Sequence, residues 1–359
     1  MRSKKIAWVI LIVLAVGIKI FSFFPNAVEK YYATGIYPVL AGVQRIAFGW
    51  IPFSVGDVLY AVTIIYLAYK LVQMIRKIIR KQASKQYWWL TLRKLVFVML
   101  VIYVCFNGLW ALNYNRQGIA QQLGLQVTSY SKEDLLVVMD EVMMRMEQLD
   151  SQARVNRAQL ASKKHLFREA DNAYRQLAVQ ENALKYHFRS VKPSLFSYIG
   201  NYLGYTGYYN PFTGEAQVNT TVPLFIQPFT TCHEMGHQLG YAKENEANFA
   251  GYLSAKSSAD PAFRYSVYFD LYTYSRFYLF MLDSALAKQY DQRLPVSVKA
   301  DYREMREFSK RYRNPVETII DKLYGQYLKA NQQPSGKLAY SEVIAWLVAY
   351  YKKYGKEAV

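Results

Sequence analysis

Cysteine and histidine are both scarce in this chain of 359 residues, and each scarcity narrows its chemistry. The two cysteines, Cys105 inside an apolar run and Cys232 beside His233, cannot build a disulfide framework. An exported domain without disulfides is compatible with a bacterial cell envelope. With only four histidines, any regular histidine spacing is improbable by chance. Acidic residues are short as well, 26 Asp and Glu against 44 Lys and Arg, for a formal charge of +18. That excess is local: residues 1–112 hold 14 basic and 2 acidic side chains, and the remainder holds 30 and 24. Most of the positive charge therefore flanks apolar segments, where it reads as membrane topology and not as a nucleic-acid surface. No internal repeat or low-complexity stretch is present.

What the chain has in abundance is apolar and aromatic surface. Hydrophobic residues make up 52% of it, and 33 tyrosines suit helix packing with polar surroundings better than a dry core. One apolar run spans about 6–24 behind Arg2, Lys4 and Lys5, and lacks a small-residue cleavage site after it. A retained anchor is expected there. Two more runs cover about 53–75 and 95–112, near the roughly 20 residues that a bilayer crossing requires. Between them lie Arg76, Lys77, Arg80, Lys81, Arg93 and Lys94. Short basic loops stay in the cytoplasm, so the pattern predicts an inside N-terminus and three crossings. Residues 1–112 then form a membrane anchor, and 113–359 an extracytoplasmic domain. The connection 25–52 is expected at the outer interface and partly helical.

The exported part reads as mainly α. Ser131 is placed to cap an amphipathic helix carrying Leu135, Leu136, Val138, Met139, Val142, Met143 and Met146. A second helix is expected over 166–188. From 194 to 219 the chain turns to Gly, Tyr, Asn and Pro, which predicts loops and a short hairpin, with 215–219 as a strand. Helices are expected again to the end.

Within that last stretch, Thr230 to Gly240 contains His233-Glu234-Met235-Gly236-His237. Side chains four apart share a helix face, so both imidazoles can point at one ion, and Zn²⁺ accepts such nitrogens. Glu234 can reach the ion's open position without binding it and take a proton from a zinc-activated water. Composition alone gives this pattern about 0.003 times per chain. Thr230 or Thr231 is placed to cap the helix and Gly240 to end it. Gly236 inside it costs about 1 kcal/mol relative to Ala, a choice that a close backbone approach would explain.

A third ligand is available in the next segment. Glu244, Ala247 and Asn248 share one face of a following helix, whereas Glu246 points about 160° away. Only one of the two glutamates should bind; Glu244 is favoured and Glu246 stays open.

The run from His233 to His237 followed by Glu244 to Asn248 resembles the gluzincin class of zinc metallopeptidases. The resemblance implies a zincin-like domain in which His233, His237 and Glu244 hold zinc and Glu234 is the catalytic base. Asn248 stands where that class commonly has Asp, and the histidine-to-glutamate gap is short for the class. Metzincins are excluded because Lys243 occupies the place of their third histidine. Over nearly its whole length the chain also resembles a bacterial membrane family, domain-of-unknown-function 3810. The motifs are the run Trp110 to Arg116, the run Tyr209 to Glu215, and His233 to Gln238 with Glu244 to Phe249. That resemblance implies a zinc peptidase of the cell membrane.

In gluzincins a later His or Tyr stabilises the oxyanion, and no histidine follows His237. Tyr340 is the catalytic candidate, with Tyr265, Tyr268 and Tyr272 as others. The strand 215–219 is either structural or an edge that pairs with an extended peptide. His165 and His187 read as surface or satisfied structural residues and not as ligands. The expected function is a membrane-anchored zinc metallohydrolase acting on extracytoplasmic peptides or proteins. The alternative is an inactive zinc-bearing receptor or scaffold. Transport is disfavoured, since the anchors carry no suitable ionisable pair.

Overall fold

The computed structural model describes residues 2–336 and 342–359. After α1 (Arg2–Phe21), one turn at Pro25–Ala27 and a π-helical stretch at Val28–Ile36 lead into α2 (Tyr37–Gly49). α3 (Val55–Ile79) and α4 (Lys85–Leu109) then form a hairpin. Ser54 and Ser84 cap these two helices, accepting hydrogen bonds from Asp57 N and Tyr87 N. Both helices are long and apolar enough to cross a membrane, and their apolar stretches are not buried in protein. α1 qualifies only together with Pro25–Gly49, from which it is bent by 103°. The candidate spans number two, or three if that bent pair is one span. Both helices of the hairpin outrun their apolar cores, because Arg76, Lys77, Arg93 and Lys94 extend the helical turns while keeping their charges at an interface.

Beyond the hairpin the chain is mainly helical with one small sheet. α5 (Lys132–Arg157) starts at Ser131, whose hydroxyl accepts from Asp134 N while Asp134 accepts from Ser131 N. Its predicted apolar face is buried, apart from the half-buried Leu136. α6 (Lys163–Gln180) stops well short of the expected 188. A 3₁₀ turn at Asn182–Leu184 follows, and Phe188 takes a left-handed conformation that no helix continues. β1 (Val191–Pro193), α7 (Ser197–Leu203), β2 (Gly207–Asn210) and β3 (Glu215–Val218) come next. β3 is the central strand, parallel to β1 and antiparallel to β2. Both its edges are therefore paired, which corrects the reading of 215–219 as a peptide-binding edge. The free edges belong to β1 and β2.

α8 (Gln227–Gln238) carries the histidine motif and α9 (Glu244–Ser257) the glutamates. α8 begins earlier than expected, so Thr230 and Thr231 lie inside it and do not cap it. Pro228 is tolerated in the first turn, where its missing N–H would have no helical partner. α10 (Pro261–Leu282) packs along α5, and its Phe263, Phe269, Leu271 and Leu279 are buried. α11 (Ser284–Arg293), α12 (Val296–Tyr312), α13 (Pro315–Ala330) and α14 (Val343–Tyr354) complete the chain.

The membrane segments are tied to this domain by polar groups. Asp57 in the first turn of α3 accepts from Leu195 N at 2.6 Å and from the hydroxyls of Ser194 and Tyr208. Glu215 at the start of β3 accepts from Val55 N at 3.1 Å and Gly56 N at 2.6 Å. Its charge faces the positive end of the α3 dipole, and the residue is fully buried. Lys192 donates to the carbonyls of Gly49 and Ile51.

Removing that carboxylate strands two buried N–H groups. Glu215→Ala is expected to destabilise the domain by about 2–3 kcal/mol, seen as a lower melting temperature of the detergent-solubilised protein. An unchanged melting curve would show that Glu215 does not hold the two parts together.

Candidate metal centre

α8 and α9 approach closely because glycine lies at the contact. A Cβ on Gly236 would sit 3.2 Å from the Ala247 carbonyl, and one on Gly251 would sit 3.0 Å from the backbone of His233. This is the close approach that the mid-helix glycine implied. α8 ends as expected, with Gly240 at φ +85°.

On the facing sides of these helices, Glu244 Oε2 lies 3.3 Å from His233 Nε2 and 3.6 Å from His237 Nε2. Ligands about 2.0–2.1 Å from a tetrahedral ion stand about 3.3–3.4 Å apart, so both of these separations are close to those within one coordination shell. His237 Nδ1 contacts the Tyr241 carbonyl at 2.8 Å. With the proton on Nδ1, Nε2 keeps its lone pair for an ion. Tyr324 donates to Glu244 Oε1 at 2.6 Å and orients the carboxylate. Burial alone would raise the Glu244 carboxyl, but His237 and hydrogen bonds from both histidines hold it well below the usual range. Burial would lower His237, yet Glu244 pushes it up to about 9. The cluster thus demands positive charge among its electron-rich atoms, which a cation supplies.

His233, Glu234 and His237 also form a buried group whose ligand atoms all lie within 4.8 Å of one another, compact enough to hold a metal ion. Burial, partly offset by the two histidines, raises the Glu234 carboxyl to about 7. Its Oε2 is buried without a hydrogen-bond partner. Room for it comes from Gly207 at the start of β2, where a Cβ would sit 2.6 Å from Glu234 Oε1.

Glu246 is elsewhere. It lies against Gly118 and 3.6 Å from Lys243 Nζ, away from the histidines. Asn248 lines the cavity with them. Tyr265 bonds Asp301, Tyr268 bonds the Val359 carbonyl, and Tyr272 packs on Tyr302, so none of the three reaches the cavity. Tyr340 lies outside the described residues. His165 pairs with Arg168 and Asp260 at the surface, and His187 is exposed. Cys232 is fully buried against α9, where burial pushes its thiol up to about 12 despite a contact from Ser254 Oγ.

The site opens into a cavity of about 1070 Å³. Sequence reasoning missed most of its wall: Gly207, Asp270, Tyr274, Tyr324 and Tyr327 come from β2, α10 and α13. Only the 3.6-residue spacing of Asp270 and Tyr274 could have hinted that they share a face. One Asp270 carboxylate oxygen is buried without a partner, and burial pushes the group up to about 8. The Tyr274 hydroxyl has no hydrogen-bond partner among the described residues.

Fold and site together define a mainly helical protein with two or three helices able to span a membrane and a buried His/Glu group able to hold a metal ion. The sequence profile described as "Protein of unknown function (DUF3810)" matches residues 32–348, and the chain belongs to that family. No curated protein and no solved structure matches it.

Titration of the full-length protein with Zn²⁺ should show one tight site. Glu244→Ala should weaken it by more than the roughly 10–100-fold that outer partners contribute, Tyr324→Phe by about that range, and Glu246→Gln little. Equal effects of the two glutamate changes would dismiss Glu244 as a ligand. A separate expectation concerns Asp270. The folded protein holds a proton there that the unfolded chain releases near pH 4, so stability falls as pH rises from about 4 to about 8. Asp270→Asn should flatten that decline in melting temperature; an identical slope in both proteins would contradict it.

Proposed function

We propose that this protein is a membrane-anchored, zinc-dependent hydrolase that cuts peptide bonds outside the cytoplasm. The observation that carries the reading is the Glu234 carboxylate, buried, without a partner at Oε2, and beside two histidines and Glu244 in an open cavity. A site built only to hold an ion has no use for such a group. Two nitrogens and one carboxylate oxygen suit zinc among the divalent metals. The pairing of a histidine-motif helix with a glutamate helix beside a small mixed sheet supports a zincin-like arrangement.

Bound by His233, His237 and Glu244, zinc would acidify a water molecule and polarise the carbonyl under attack. Glu234 accepts the water's proton and returns it to the leaving nitrogen, a task suited to a carboxyl near neutrality. Tyr274 lines the same cavity with its hydroxyl uncommitted, and donates to the oxyanion in this reading. Free edges of sheets bind extended chains, and β2 presents one to the cavity. The basic segment Arg76 to Lys94 belongs on the cytoplasmic side, which puts the site on the other.

Glu234→Gln tests the assignment. The variant should keep its zinc and lose about 10²–10⁴-fold of its hydrolysis of an unfolded protein, and a chelator should abolish the wild-type rate. Equal, chelator-insensitive rates from both proteins would sink the hydrolase and leave the zinc-bearing receptor.

A further inference from the structure

The cavity wall is not made by the domain alone. Tyr60, Thr63 and Ile64 of α3 and Phe106 of α4 face the same space as His233, Glu234 and Glu244. At about 1.5 Å per residue, Tyr60 to Ile64 lie roughly 7–13 Å along α3 from its start. α3 has 25 residues, about 37 Å, which exceeds a hydrocarbon core of about 30 Å by only a few ångströms at each end. With that overhang these wall residues lie about 4–10 Å inside the edge of the hydrocarbon. They stand at the end of the hairpin opposite its basic loop.

Two helices of the domain extend this boundary. α13 contributes Ile320, Tyr324 and Tyr327 to the cavity and turns Val316, Ile319 and Leu323 outward, each more than half exposed. α7, which packs against α13, follows the exposed Leu195 and exposes Tyr198 and Ile199. Asp57 bonds Leu195 N, so this apolar rim begins beside the first turn of α3. It is continuous with the lipid-facing surface of the span, and lipid is the phase that can cover it. The polar ties at Asp57, Glu215 and Lys192 keep the domain from lifting away.

Resting on the hydrolase reading, we infer that the substrate reaches this site from the bilayer: a membrane-anchored polypeptide whose cleaved bond lies close to the lipid surface. An apolar anchor segment would lie along the outer turns of α3 and α4, while the chain leaving it passes the histidines. A polypeptide is favoured over a lipid because β2 lines the cavity as a free edge. Asn219 N bonds the Thr206 carbonyl, which sets the alternation so that the backbone groups of Gly207 and Tyr209 face away from β3.

The test uses full-length, zinc-loaded protein in phospholipid vesicles. One unstructured polypeptide is presented free, or fused to a transmembrane helix through a spacer of about 5 or about 40 residues. The short-spacer substrate should be cut at least about ten-fold faster than the long-spacer one, since tethering alone would concentrate both. Ile319→Asn with Leu323→Asn should erase that preference while leaving hydrolysis of the free polypeptide unchanged. Equal rates at both spacers, or faster cleavage of the free chain, would overturn delivery from the membrane and leave the hydrolase intact. Fatty acid released from the vesicles in place of peptide cleavage would overturn the polypeptide. No Glu234-dependent cleavage of anything would overturn the hydrolase, and this inference with it.

Discussion

The last carbonyls of an α-helix must find donors; in α8 the N–H groups of Leu239, Gly240 and Tyr241 serve Met235, Gly236 and His237, and side chains from the N-terminal third of the chain add the rest. Tyr37 donates to the Gln238 carbonyl at 2.9 Å, Trp110 Nε1 to His237 at 3.1 Å, and Arg116 to Gly240 at 3.2 Å. Arg116 is itself fixed by Glu29 at 2.7 and 3.0 Å. The segments before and after the hairpin of spans thus meet at the end of the helix that carries the histidines. Ring packing of Trp110 on His237 adds a direct contact to the candidate ligand. The site is consequently tied to the segments that flank the candidate spans, and its position relative to those helices follows from hydrogen bonds and not from a linker.

A second constraint acts between α8 and α9. Three electron-rich side chains converge within a single coordination shell, and two backbones must come close to let them. Gly236 and Gly251 provide that approach, at the helix-propensity cost that a mid-helix glycine carries. Gly207 provides the third, clearing space for Glu234 from the sheet side. Small residues at these points fix the distances among larger ones.

How far this was legible depends on whether the signal was local. Helix periodicity and capping are local, so the second and third of the expected spans, the Ser131 cap, the Gly240 terminus and the facing of Glu244 over Glu246 could be read directly. The histidine motif is local too. What escaped was set by tertiary packing: the start of α8 at Gln227, the central place of β3, and the cavity wall drawn from β2, α10, α13 and the spans. Tyr265, Tyr268 and Tyr272 went astray for the same reason. One face of α10 meets the core and Asp301, and the face bearing Asp270 and Tyr274 meets the cavity. Spacing gives the faces of a helix without saying what each will meet.

Cys232 precedes a candidate ligand, yet it is sealed against Ser254 of α9 with its proton held firmly by burial. Thiolate is the form that binds soft metals and reacts with oxidants. A thiol kept neutral and sealed inside the core neither competes with the histidines for an ion nor offers copper the sulfur it prefers. The cysteine sulfur adjoining the site in sequence is thereby made chemically silent, which leaves the candidate ligand atoms as nitrogen and oxygen.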